Sequence, residues 1–245
     1  MPDNLDSSKL RLDSTGGSTG VPMKYYVSND AYSWSKAVLY RMYNRANFKV
    51  GQKLVTLAGP SLSSRKNMNL KKQIFYGVVE RSKKISSFNL NDRKMYDYYN
   101  LIQDYRPLAI RGYANALYEF AKFIDLKGLQ IPNIENIFSA SEKLDSHKRE
   151  LIEGVFNVKL YDGYGAGDGT IFAHECEKHN GLHIDEEVTV TEIVDDVGNP
   201  IQSGQGELVS TSLVNYAFPF IRYKVGDVAQ FSEEKCTCGR SSKLL

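Results

Sequence analysis

Up to Tyr161 the chain alternates helical spacing with short apolar runs; from His183 onward the spacing becomes period two. That change limits the fold most. Lys24–Val27 reads as a strand, and Ser28-Asn-Asp30 as a helix start. Ala31, Trp34, Val38, Leu39, Met42 and Tyr43 then share a helical face, as core material rather than cofactor contacts. Lys53–Ala58 reads as a buried strand stopped by Gly59-Pro60. Residues 61–95 are polar and basic, with weak periodicity. Tyr113–Phe123 reads as a helix, ended near Gly128. Ile137-Phe138 starts a strand running out at Ser139–Glu142. Asp145 caps a helix with Leu151, Ile152, Val155 and Phe156 on one side, and Val158–Tyr161 is the next strand. In the last part Val188, Val190, Glu192 and Val194 alternate, Gly198-Asn199 turns, and Gly206–Ser210 and Phe220–Tyr223 read as strands. The expected fold class is α/β: a layered core over residues 1–180 and a β-rich subdomain of the same large domain over 181–245.

Composition excludes several classes. The 245 residues are 42% hydrophobic and 24% charged, enough for the core of a soluble domain. A net charge of +2 argues against nucleic acid or an anionic membrane as partner. No apolar run is long enough for a membrane span, and the polar N-terminus lacks the apolar stretch of a secretion signal. Three cysteines do not make a disulfide framework, so a reducing cytoplasm is expected.

Three segments carry the chemistry. Asp13-Ser-Thr-Gly-Gly-Ser-Thr-Gly-Val-Pro22 puts three glycines and four hydroxyl residues into ten positions. Glycines let successive N–H groups point into one concavity, and hydroxyls add rotatable donors, a combination suited to a polyphosphate. A flexible linker has the same composition. The run lacks the Gly-Lys-Ser/Thr ending of a nucleoside-triphosphatase loop. The second segment is Tyr164-Gly-Ala-Gly-Asp168, after an apolar strand, and the third is Ala217-Phe-Pro-Phe-Ile-Arg-Tyr-Lys-Val-Gly-Asp227.

In this order they resemble the phosphate, adenine-and-metal and ribose segments of adenylate-forming enzymes. Ile137-Phe-Ser-Ala-Ser-Glu142, Phe172-Ala-His-Glu-Cys-Glu177, Gly181-Leu-His183, Gly206-Glu-Leu208, Pro219-Phe-Ile-Arg-Tyr223 and Cys236-Thr-Cys-Gly-Arg240 resemble the phenylacetate–CoA ligase family, in its capsular polysaccharide branch. The resemblance implies that Ser14, Thr15, Gly16, Gly17, Ser18, Thr19 and Gly20 hold ATP phosphates. Lys24 follows, with Met23 where many relatives have lysine. Tyr164 would stack on adenine with Gly165 allowing close approach. Asp168, where the family usually has Glu, would hold magnesium. Asp227 would accept from both ribose hydroxyls, and Arg222 would pair with that carboxylate or touch phosphate. Ser141 and Glu142 would line the nucleotide or acyl pocket; Tyr113 and Phe138 are compatible with an aryl pocket, but Tyr and Phe are also simple core material.

Cys176, His183, Cys236 and Cys238 make a candidate Cys3His zinc site, with His179 as competing ligand and plain reduced thiols as the alternative. A Cys236–Cys238 disulfide would close a strained loop. His147 and His174 read as surface or packing residues. The implied reaction is attack of a small carboxylic acid on the α-phosphorus of ATP, then transfer to coenzyme A. A homodimer is compatible with the resemblance. Relatives carry a segment before the phosphate loop and a lid domain with an assisting lysine after the Cys-Gly-Arg motif, so the chain reads as an incomplete core. The alternative is a catalytically degenerate nucleotide-binding protein linked to capsular polysaccharide.

Overall fold

The first two strands are β1 (Leu10–Ser14) and β2 (Lys24–Ser28), paired antiparallel with Ser14 opposite Lys24. This is a computed structural model, which describes residues 6–15, 22–59, 74–167 and 170–245. Helix α1 (Asn29–Arg45) starts where Ser28 accepts the Ala31 N–H at 3.1 Å, an N-cap. Ala31, Val38, Met42 and Tyr43 are buried, but Trp34 is 46% exposed. The inward stripe passes through half-buried Ser35 instead, four residues after Ala31 and three before Val38, which turns Trp34 toward solvent.

A parallel sheet follows. Its strands are β3 (Leu54–Ala58), β4 (Ser82–Ser86), β5 (Ala109–Tyr113), β6 (Asn136–Ala140) and β7 (Leu160–Tyr161), in the order β4-β3-β5-β6-β7. Among the described residues the α-helices between them are α2 (Asp92–Tyr105), α3 (Ala114–Leu126) and α4 (Ser146–Phe156), and a short π-helical turn spans Phe75–Val79. Val55, Leu57, Ile110, Ile137 and Leu160 pack with Ile102, Leu117, Phe120 and Ile152 in one core. The strand order reverses between β3 and β5, the place where open α/β sheets leave a crevice.

Several expectations change here. Helix α2 begins inside the stretch that reads as aperiodic. Asn91 caps it by accepting the Lys94 N–H at 3.0 Å, and Met95, Tyr98 and Ile102 bury one face. Asp145 stands at the N-cap of α4, but its carboxylate faces Lys148 at 3.3 Å and makes no cap bond. Phe138 is fully buried against Tyr43, Phe48 and Tyr161, so it is core and not a pocket wall.

The rest is β-rich, as expected. Strands β8 (Gly163–Ala166), β9 (Ile171–His174) and β10 (His183–Ile184) form one sheet. Strands β11 (Thr189–Val194), β12 (Pro200–Ile201), β13 (Gln205–Ser212) and β14 (Tyr223–Gln230) form another, antiparallel, in the order β12-β11-β13-β14. Ile171, Ala173, Ile184, Ile193, Leu208 and Phe231 make their shared core. On β11 Thr189, Ile193 and Val194 are buried, Thr191 and Glu192 are half-buried, and Val190 is 48% exposed. Val188 and Val194 are buried as the alternation implies, but Val190 is not, so strict period two does not hold along the strand. Phe220 is buried in a loop, and the strand starts only at Tyr223.

Packing divides the chain into residues 43–163 and residues 1–42 with 164–245. The pattern change near residue 181 falls inside the second of these units. Among the described residues no helix is long and apolar enough to cross a membrane.

Candidate functional site

Tyr25 joins the three segments. It is buried, with its ring edge-on to Phe220 at 5.3 Å and tilted against Phe218 at 6.3 Å. Its hydroxyl lies 3.6 Å from where a Cβ on Gly167 would sit. Asn215 adds a second tie: its amide donates to the Tyr26 carbonyl at 2.9 Å, and its oxygen accepts the Ser28 N–H at 3.2 Å. Strand β2, the Tyr164 segment and the loop before β14 therefore share one neighbourhood.

At the neck of the first hairpin the Thr15 N–H donates to the Met23 carbonyl, and the Met23 N–H to the Thr15 hydroxyl oxygen, both at 3.0 Å. Thr15 and Met23 thus extend the β1–β2 ladder by one more pair. The Ser14 N–H donates to the Asp13 carboxylate at 2.9 Å. Lys24 is exposed on the face opposite Tyr25. Gly16, Gly17, Ser18, Thr19, Gly20 and Asp168 lie outside the described residues.

Tyr164 and Asp227, far apart in sequence, meet directly: the phenol donates to Asp227 Oδ2 at 2.6 Å. A bulge aims the carboxylate. Glu207 pairs with Val228 and Val209 with Lys224, so Leu208 alone faces Val225, Gly226 and Asp227. Gly226 takes φ +86, a left-handed conformation that glycine supplies without strain. Asp227 therefore lies within a strand, not in a turn after one.

Other expected site residues have different partners. Arg222 donates to Glu192 at 3.2 Å and to the Gly198 carbonyl at 3.0 Å, so it does not pair with Asp227. Gly165 packs against the Phe172 ring, 3.2 Å from where its Cβ would sit. Glu142 accepts the Asn115 N–H at 2.8 Å, satisfying the N-terminus of α3, and the neighbouring Ser141 is left-handed at φ +69. Both belong to the parallel-sheet unit.

The cysteine and histidine residues converge. The donor atoms of Cys176, His183, Cys236 and Cys238 all lie within 4.8 Å of one another. The Cys176 and Cys236 sulfurs are 3.6 Å apart, and Cys238 Sγ is 3.4 Å from His183 Nε2. Tetrahedral zinc with bonds of about 2.3 Å to sulfur and about 2.0 Å to nitrogen sets these edges at about 3.8 and about 3.5 Å. Ser242 Oγ lies 3.0 Å from His183 Nδ1, which suits the tautomer that keeps the Nε2 lone pair for a metal. His179 faces Glu175 at 3.0 Å and stands outside the cluster. Burial pushes the Cys176 thiol up to about 11. For Cys238 burial also disfavours the thiolate, but hydrogen bonds from Arg240, Cys236 and Cys176 outweigh it, bringing the thiol down to about 7.

A buried network escaped the sequence reading. Asp185 is fully buried; it holds His174 Nδ1 at 2.7 Å and Arg41 at 2.5 Å, and Arg41 also pairs with Glu187. The bond to Glu187 raises the Arg41 pKa further, against its burial. His174 thus has a charged partner within the core. Nothing in the sequence around Asp185-Glu-Glu187 assigns it Arg41 as a partner.

No family model matches the chain. It is 27% identical to the protein CapK of Staphylococcus aureus over 232 residues, 93% of this chain and 49% of that one. It is 34% identical to a phenylacetate–coenzyme A ligase of Thermus thermophilus over 149 residues, 58% of this chain and 33% of that one. Among solved structures, 2-hydroxyisobutyryl-CoA ligase in complex with 2-HIB-AMP and CoA matches with a TM-score of 0.77 at 18% identity, over 98% of this chain and 52% of that one. The fold is that of the adenylate-forming ligases. In sequence the chain is similar to CapK and to phenylacetate–coenzyme A ligases. It spans half or less of the length of the curated relatives it matches.

Proposed function

We propose that the chain forms the nucleotide-binding part of an enzyme that activates a small carboxylic acid as its acyl-adenylate and passes the acyl group to coenzyme A. The observation that supports this most is the meeting of Tyr164 with Asp227 beside a strand from the glycine-rich hairpin. In the reaction the acid's carboxylate oxygen bonds to the α-phosphorus of ATP and pyrophosphate leaves. The thiolate of coenzyme A then attacks the acyl carbon and AMP leaves. The hairpin amides hold phosphate oxygens, Tyr164 lies against adenine, and Asp227 accepts from the ribose hydroxyls. Asp168 would hold magnesium, which offsets phosphate charge when bound. Cys176, His183, Cys236 and Cys238 fit zinc, and four protein ligands make that role structural. Cytoplasmic location rests on the low cysteine count; capsular polysaccharide biosynthesis as the setting, and a homodimer, rest on the resemblance. A second reading, nucleotide binding without adenylation, is favoured by Met23 standing where many relatives have lysine.

Calorimetric titration with ATP and AMP tests the proposal. One nucleotide should bind per chain, and Asp227→Ala should weaken it at least about tenfold. Absence of binding, or unchanged binding in the variant, overturns it. Acid-dependent pyrophosphate exchange across a panel of carboxylic acids separates the two readings.

A further inference from the structure

The geometry points to Tyr164 as a positioning residue that sets which ribose Asp227 accepts; this rests on the nucleotide reading above. Three observations support it. The phenol takes Oδ2 of Asp227 at 2.6 Å, the length of a charge-assisted O–H···O⁻ bond. Among the described residues Oδ1 accepts no hydrogen bond. The carboxylate stands on a bulge, where a side chain without a tie would be free to swing.

The consequence is chemical. An exposed aspartate samples several rotamers, and a ribose diol would have to order it on binding. Tyr164 removes that cost by fixing χ1 and χ2 of Asp227 in advance. With one oxygen occupied, diol recognition concentrates on Oδ1. The site should then distinguish ribonucleotides from deoxynucleotides through a residue that need not touch the sugar. The anchoring is rigid at the other end, because the Tyr164 ring packs against the core of Ile171, Ile184, Ile193 and Leu208.

The test uses Tyr164→Phe, which keeps the ring and removes the hydroxyl, with Tyr164→Ala as a check on stacking. Affinities for ATP and for 2′,3′-dideoxy-ATP are measured by calorimetry on wild type, Tyr164→Phe, Asp227→Asn and the double variant. Tyr164→Phe should weaken ATP about five- to tenfold and leave dideoxy-ATP within about twofold. In the Asp227→Asn background the same change should have no further effect, the signature of coupled residues. If Tyr164→Phe leaves ATP unchanged while Tyr164→Ala weakens both nucleotides equally, the tyrosine only stacks and the inference fails. If Tyr164→Phe weakens both nucleotides equally, its effect is not on the diol and the inference also fails. Wild type that binds neither nucleotide overturns the nucleotide reading itself, a distinct result.

Discussion

At the residue scale, two glycines of the β-rich part do different work. Gly226 needs only its backbone: no atom lies within 4 Å of an added Cβ, but φ is +86. Gly226→Ala should cost about 1–2 kcal/mol in urea unfolding and weaken ATP through the lost aim of Asp227. Gly206 needs space, because its Cβ would lie 2.3 Å from the Val194 carbonyl oxygen. Gly206→Ala should cost about 3 kcal/mol. Gly154, within α4 and open on all sides, is the contrast: Gly154→Ala should stabilise by about 0.5–1 kcal/mol. A neutral Gly206→Ala would contradict the close packing of β13 on β11. The glycine positions were legible in the sequence, but their reasons were not. A dipeptide such as Gly226-Asp227 reads as a turn, whereas a bulge depends on the register of a partner strand.

At the element scale, legibility followed how far an element's own residues decide it. Helix α3 and strands β3 and β6 were clear, because nearly every inward residue is apolar. Helix α2 was missed although Asn91, Met95, Tyr98 and Ile102 carry its cap and stripe; its charged flanks masked them. The alternation along β11 held at Val188 and Val194, which are buried, and failed at Val190, which faces out beside buried Thr189. Helix α4 carries a pH-dependent contact. Burial opposes ionisation of Glu153, but Lys159, the Leu160 N–H and Arg149 outweigh it, so its pKa falls below the ordinary value. The folded pKa being lower, this stabilisation is full above about pH 4.3 and is lost as pH falls through the folded value. Glu153→Gln should therefore cost about 1 kcal/mol at pH 7 and less at pH 3, read by urea unfolding at both. An equal cost at both pH values would show that the charge is irrelevant.

At the scale of the whole molecule, the two packed units should respond differently to metal removal. The four candidate ligands belong to the unit that also carries Tyr164 and Asp227. Ligand Cys176 follows β9 and ligand His183 opens β10, in the same sheet as β8, which bears Tyr164. Metal analysis should find one zinc per chain. A strong chelator should raise hydrogen exchange in 171–184 and 232–245, while β3, β5 and β6 stay protected. Exchange unaffected by chelator, with no metal found, would leave three reduced thiols. The candidate zinc set was legible because its chemistry is scarce: three cysteines leave few combinations. The candidate nucleotide site was legible only as separate segments, since Tyr25 and Asn215, which tie them together, carry no motif of their own.

The most direct measurement is a crystal structure of the chain with AMP bound. Adenine should lie against Tyr164, with a ribose hydroxyl within hydrogen-bond distance of Asp227 Oδ1. AMP bound elsewhere, with Tyr164 and Asp227 both facing solvent, would contradict the assignment.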